Sequence, residues 1–292
     1  MSLKPEEVVK QLQRDEYATI YFLYGTENYY IDLITDMIAD RALTESEKGF
    51  NQIIIYGKDV TVAEMVNHAR RYPMMAERQV VIVKEAQDIS DWDREEGQSL
   101  LQHYINGPQP STILVIAYKN KKPDKRKALY KSLNKHAVMV ESNKPYDNQL
   151  PDWVEKYVGR KGHTIDLKAT HMLVDFIGND LERLSNEIDK ILINYQGAVQ
   201  IHAGIVQKYV GISKDYNSFE LQRAIAIREI VKANRIVNYF NANSRNNPII
   251  PIIALLFNFF SKLLIIHSSG VKNEKALASE TGIHPYFLNE YL

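Results

Sequence analysis

Gly25-Thr26-Glu27-Asn28 lie where a phosphate-binding turn would do its chemistry. They follow Ile20–Tyr24, a run of β-branched, aromatic and aliphatic residues that reads as a strand covered on both faces. A first strand turning into a first helix is where an α/β protein holds phosphate on backbone N–H groups. Such a turn needs several glycines, a lysine for the β- and γ-phosphates, and a Ser or Thr for magnesium. Here there is one glycine, and the next lysine is Lys48. Thr26 reads as the helix N-cap, and Glu27 puts a carboxylate where the phosphate would sit. The glycine pattern for dinucleotides is absent too.

Other chemistries have less support. Glu85 closes a strand in Lys84-Glu85-Ala86, where a magnesium-ordering acid would stand. A lone carboxylate after a strand is commonplace, so a surface residue is the plainer reading. The eight histidines show no HxxxH or HExxH spacing, and there is no Gly-x-Ser-x-Gly elbow. With no cysteine, disulfides and thiolate metal sites are excluded, and a reducing cytoplasm fits. No catalytic residue, cofactor or metal is expected.

Two stretches stand out. In Arg71–Gln79, RYPMMAERQ, Pro73 stops a helix and two methionines follow at the chain reversal. Methionine is the adaptable residue of binding surfaces. Met74 and Met75 either plug the gap between helix and sheet or form an exposed wedge for a partner's pocket, with Tyr72 beside it. The second stretch is Lys119–Lys135, with eight basic residues against Asp124. Lys119, Lys121, Lys122, Lys125, Arg126 and Lys127 could contact DNA phosphates, or the stretch is a solvated helix face.

The elements that must position these residues alternate. Helical patterns over 5–16 and from the turn to about Leu43, with Ile31, Ile34, Met37 and Ile38 on one face, flank the first strand. Phe50–Tyr56, Gln79–Lys84, Ser111–Tyr118 and Ala137–Glu141 are further strands. Helices over Thr61–Arg71, Arg94–Asn106 and Asp124–Lys135 separate them, the first with Thr61 and Glu64 placed as a capping box. Five strands alternating with helices argue for one parallel sheet covered on both faces. Asn143–Gln149 is a polar linker, after which helices follow: Leu150–Arg160, Leu167–Ile177, Asp180–Asn194 and 201–210. Gly211–Asn217 is a second linker, followed by helices over Phe219–Tyr239, Pro251–Ser268 and Asn273–Thr281. Gly282-Ile283-His284-Pro285 opens another helix near Leu292, an ending that suggests further sequence.

The 292 residues leave room for two or three domains. A 45% hydrophobic and 25% charged composition is that of an ordinary globular protein, and 36 basic against 36 acidic residues give no global field toward nucleic acid or an anionic membrane. The N-terminus lacks the apolar core of a signal peptide. Ile249–Ile266, interrupted by Pro251, Asn258, Ser261 and Lys262, reads as a buried helix and not a membrane span.

Five features in this order resemble the delta subunit of the bacterial DNA polymerase III clamp loader. They are the degenerate first turn, YPMMAERQVVIV, DLERLSNEIDKI, SFELQRAIAIREIVKANRIV and GIHPYFLNEY. The resemblance implies an AAA+-like α/β domain over 1–143, a small helical lid over 144–211 and a helical collar over 212–292, shortened at its end. It implies a cytoplasmic replication protein that binds and opens the sliding clamp without hydrolysing ATP. The partners implied are the clamp, the gamma/tau and delta prime subunits through the collar, and primer-template DNA indirectly or weakly. The clamp-binding element would be Tyr72, Pro73, Met74 and Met75, with methionines where the family usually carries Leu-Phe or Phe-Phe. Pro73, Ala76 and Arg78 fit the family pattern. An ATPase with an unusual phosphate loop, or a DNA-binding protein using Lys119–Lys135, are the competing readings.

Overall fold

Burial on both faces makes the central strands nearly continuous apolar runs, and alternate side chains sort them to the two sides of one sheet. In a computed structural model, which describes residues 2–210, 217–244, 247–269, 277–278 and 281–283, the strands are β1 (Ser2–Leu3), β2 (Ile20–Gly25), β3 (Gln52–Tyr56), β4 (Gln79–Lys84), β5 (Thr112–Lys119) and β6 (Val138–Ser142). All pair in parallel in the order β1-β6-β2-β5-β4-β3. The sheet therefore has six strands where five were expected: Ser2 and Leu3 add a short edge beside Met139 and Val140. The other five stand in the order fifth, first, fourth, third, second, an AAA+-like α/β arrangement.

Along β2, Ile20, Phe22 and Tyr24 face one core and Tyr21 and Leu23 the other. The first core is covered by α4 (Val62–Ala69), α5 (Glu95–Asn106) and α6 (Ala128–His136). The second is covered by α1 (Pro5–Gln13) and α2 (Tyr29–Arg41), through Val8, Leu12, Ile31, Ile34 and Ile38.

Three boundaries differ from the sequence reading. Phe50 belongs not to a strand but to α3 (Glu45–Asn51), which starts at a capping box: the Glu47 carboxylate accepts from the Thr44 N–H at 2.8 Å and its hydroxyl at 2.7 Å. Thr26 is not the cap of α2, which begins at Tyr29 after Asn28. The basic run is helical only from Ala128, because Asp124 instead accepts from the Arg126 backbone N–H at 3.0 Å and forms a turn. The Thr61–Glu64 capping box is present, with the Thr61 N–H donating to Glu64 at 2.7 Å.

Two compact units divide the chain, Met1–Lys144 with Asp180–Glu182, and Pro145–Asn179 with Arg183–Leu292. In the second unit lie α7 (Leu150–Arg160), α8 (Leu167–Ile177), most of α9 (Leu181–Leu192) and α10 (Ala203–Val210). A two-residue parallel ladder there joins β7 (Thr164–Ile165) to β8 (Gln200–Ile201), and the sequence reading had no strand at either place.

The helix expected over Phe219–Tyr239 is two, α11 (Ser218–Ala226) and α12 (Ile230–Ala242). Arg228 stops the first with a φ of +59°, the Arg228 N–H donating to the Ile225 carbonyl and the Glu229 N–H to the Ala224 carbonyl, a Schellman ending. The last described helix, α13 (Ile249–Ser268), packs Ile252 and Leu256 onto Leu221, Ala224, Ile236 and Phe240. It is not the buried helix expected: Ile250, Ile253, Phe257, Phe260 and Leu264 are exposed along one side. Among the described residues it is the one helix long and apolar enough to cross a membrane. Most of the expected helix over 273–281, most of the linker 211–217 and the GIHPYFLNEY segment beyond Ile283 lie outside the described residues.

Candidate functional site

Parallel strands give the sheet two unlike edges. Gly25, Lys84, Lys119 and Ser142 end their strands at one edge. Gln79 and Thr112 begin theirs at the other.

The first edge is where phosphate would be held. Gly25 has a φ of +141°, and a Cβ there would stand 1.8 Å from the Ser142 carbonyl oxygen. The glycine is required by close approach of β6, whose Ser142 carbonyl also accepts from the Glu27 N–H at 3.1 Å. One of the N–H groups that a phosphate loop would present is thus already spoken for. Glu27 is buried, and its carboxylate accepts from the Tyr29 N–H at 3.1 Å at the start of α2. Burial pushes its pKa up, while the Tyr29 and Leu181 N–H groups pull it down.

The same end of the sheet carries an internal cation at the close of β5. The Lys119 ammonium lies 2.6 Å from Asp32 on α2 and 3.4 Å from Glu85 after β4. Burial opposes its charge, but the two carboxylates outweigh burial and hold its pKa above that of an ordinary lysine. Glu85, in the left-handed region at φ +54°, also accepts from the Gln87 amide at 2.7 Å. The residues present do not fit a nucleotide's phosphates: the turn is closed by Ser142, the anion position is filled by Glu27, and the cation is committed to Asp32 and Glu85.

Much of the basic stretch is neutralised in place. Lys122 and Lys125 pair with Glu141 at 2.9 and 3.8 Å, Arg126 with Asp124 at 2.9 Å, and Lys127 with Asp93 at 3.0 Å. Arg126 holds the Asp124 carboxyl down at about 2. The Lys121 backbone bridges to Gly25.

The opposite edge carries the methionines. They lie between α4 and β4, with Met74 61% and Met75 103% exposed, and Tyr72 is exposed beside them. They do not plug the gap between helix and sheet: Met65, Val66, Ala69 and Tyr104 fill that space. Met75 has a φ of +52°, a conformation that costs a non-glycine residue on the order of 1 kcal/mol.

Two amide side chains hold this tip, and the sequence reading singled out neither. Asn51, buried at the end of α3, accepts from the Met74 N–H at 2.6 Å and donates to the Met74 carbonyl at 2.9 Å. Gln79 donates to the Arg71 carbonyl at 2.5 Å and to the Thr112 hydroxyl at 2.8 Å, satisfying the C-terminal end of α4. Arg78 lies over the Tyr17 ring at 5.3 Å. The capping box Thr44-x-x-Glu47 was the signal that could have revealed α3, and with it the place of Asn51.

These features define a class: an AAA+-like α/β domain whose phosphate edge is closed from within, followed by helical segments. Comparison with known proteins narrows the class. Residues 21–143 match the family model described as DNA polymerase III, delta subunit. The chain is 27% identical over 286 residues to the DNA polymerase III subunit delta of Bacillus subtilis (strain 168), covering 96% of this chain and 82% of the relative. Its fold matches a solved Bacillus subtilis DNA clamp loader delta protein with a TM-score of 0.65 at 27% identity, covering 99% of this chain and 86% of that one. The resemblance to the delta subunits holds by family model, by sequence relative and by fold.

Proposed function

We propose that this chain is the subunit of a replicative clamp loader that binds and opens the sliding clamp. The observation that carries the reading is the Met74–Met75 tip, apolar and exposed on a molecule similar to delta subunits. The two side chains enter a pocket on the clamp, with Tyr72 and Pro73 at its rim. Each contributes about 1.5–3 kcal/mol when fully buried in a partner. Binding selects a sprung-open form of the ring, since a ligand shifts an equilibrium by its differential affinity for the two states.

The subunit does not itself hydrolyse ATP. Support for this comes from Gly25 packed on Ser142, from Glu27 at the anion position and from Lys119 committed to Asp32 and Glu85. Residues 144–211 act as a lid and 212–292 as part of a collar that joins sister subunits. The uncovered apolar side of α13, with Ile250, Ile253, Phe257, Phe260 and Leu264 at alternating three- and four-residue spacing, suits packing against neighbouring helices in such a collar. A cytoplasmic location follows from this role.

The test is a titration against the sliding clamp of the same organism. Met74→Ala with Met75→Ala is expected to weaken binding by at least about 100-fold with the fold intact. Unchanged affinity refutes the site.

A further inference from the structure

We infer that Asn51 is the positioning residue of the wedge: its buried side chain fixes the backbone of Met74, which keeps Met75 turned out toward the partner. This rests on the reading of Met74 and Met75 as the clamp-binding pair.

The loop from Tyr72 to Arg78 has no regular secondary structure of its own. Pro73 offers no N–H, and Met75 sits at φ +52°. A strained conformation of this kind persists only where the surroundings over-determine it. Asn51 supplies that determination. Its amide spans both polar groups of Met74, accepting from the N–H at 2.6 Å and donating to the carbonyl at 2.9 Å. It thereby makes the two-point contact that a neighbouring strand would otherwise make. The same Nδ2 donates to the Glu47 carbonyl at 3.2 Å, so the amide is itself anchored to the last turn of α3. Asn51 is 1% exposed, which removes water as a competitor for those bonds.

Met75, one residue beyond the tie, is fully exposed. The tie therefore restrains the backbone next to the wedge without touching the side chain that would enter the pocket. Asn51 is in neither apolar core of the first unit, so its loss leaves the packing of the sheet in place. A tip released from Asn51 samples more conformations, and its apparent affinity falls with the fraction that remains competent.

The experiment compares five proteins by titration with the sliding clamp: wild type, Asn51→Ala, Met75→Ala, Asn51→Ala with Met75→Ala, and Met74→Ala with Met75→Ala. Hydrogen exchange at the Met74 amide and the thermal midpoint are read alongside. Asn51→Ala is expected to lose protection at Met74, keep a midpoint close to wild type and bind about tenfold more weakly. In the Met75→Ala background that penalty is expected to shrink, because a loop already lacking its wedge gains less from being held. A role confined to stability predicts the opposite, an equal penalty in both backgrounds and a lowered midpoint.

If Met74→Ala with Met75→Ala abolishes binding while Asn51→Ala binds like wild type, or costs the same in both backgrounds, the positioning role is overturned and the site stands. If the double methionine variant binds like wild type, the clamp-binding reading falls, and the role of Asn51 falls with it.

Discussion

The two edges of one sheet treat their polar and apolar groups in opposite ways. At the edge where Gly25 and Lys119 end their strands, the turn and its neighbouring charges meet groups from inside: Ser142 against Gly25, the Tyr29 N–H against Glu27, Asp32 and Glu85 against Lys119. At the edge where Gln79 begins its strand, the backbone is answered from inside by Asn51 and Gln79, while Met74 and Met75 are left outside. Backbone groups are thus tied from inside at both edges, and at the second the methionine side chains stand exposed. The difference teaches that one end of a sheet can be filled by the protein's own polar groups while the other leaves apolar side chains outside.

If the first edge is closed by packing, the largest effect should come from forcing it apart. Gly25→Ala would put a Cβ 1.8 Å from the Ser142 oxygen and 2.6 Å from its carbon, at a φ of +141°. Neither partner can move, since both belong to paired strands. The expected cost is more than about 3 kcal/mol in urea unfolding. A midpoint within error of wild type would show that β2 and β6 are not held as tightly as this geometry requires, and the contrast between edges would weaken.

Removing the internal cation is a smaller break. Lys119→Met leaves Asp32 and Glu85 facing each other without their shared ammonium. Both carboxylates are more than a third exposed, so solvent screens much of the interaction, and the expected loss is about 1–2 kcal/mol at neutral pH. The pH dependence has a definite sign. Because the folded protein raises the Lys119 pKa, its contribution is fully present below the ordinary lysine value of about 10.4 and is lost as pH rises through the folded value. The gap between wild type and Lys119→Met should hold from pH 7 to about 10 and narrow above it. A gap that stays constant to high pH would mean that Lys119 acts through packing of its stem and not through charge.

The two edges were unequally legible in the sequence. β2, β4 and β5 are buried on both faces, so Ile20–Tyr24, Val80–Val83 and Ile113–Ala117 announce themselves as continuous apolar runs. The single glycine of the first turn and the distance from it to Lys48 were readable as well. What filled the gap was not readable. Asp32, Glu85 and Lys119 are far apart in the chain, and only the parallel order of β2, β5 and β4 brings them together.

Asn51 posed the same difficulty at the other edge, since its partner Met74 lies 23 positions away. Phe50 hid it further by extending the apolar pattern of Ile53–Ile55 backward into what is in fact α3. The break between α11 and α12 was invisible for another reason. The left-handed position that ends a helix favours glycine, and here it is Arg228.

The finest test of the comparison is Glu27→Gln. Glu27 fills an anion position while buried, so the fold holds its pKa above the solution value. A carboxyl whose folded pKa is raised binds its proton more tightly in the folded state. It therefore stabilises the fold more below its unfolded pKa, near 4.3, and that advantage is lost as pH rises through the folded value. Gln keeps an oxygen for the Tyr29 N–H and has no charge to desolvate. The variant is expected to be slightly more stable than wild type at pH 7, within about 1 kcal/mol, with the difference closing as pH falls toward 4. Urea midpoints of the two proteins at pH 7 and pH 4.5 measure it. A variant less stable at pH 7 would mean that the carboxylate's bonds to the Tyr29 and Leu181 N–H groups outweigh the cost of its burial. Glu27 would then be a structural anion at the start of α2 and not merely a group that tolerates burial.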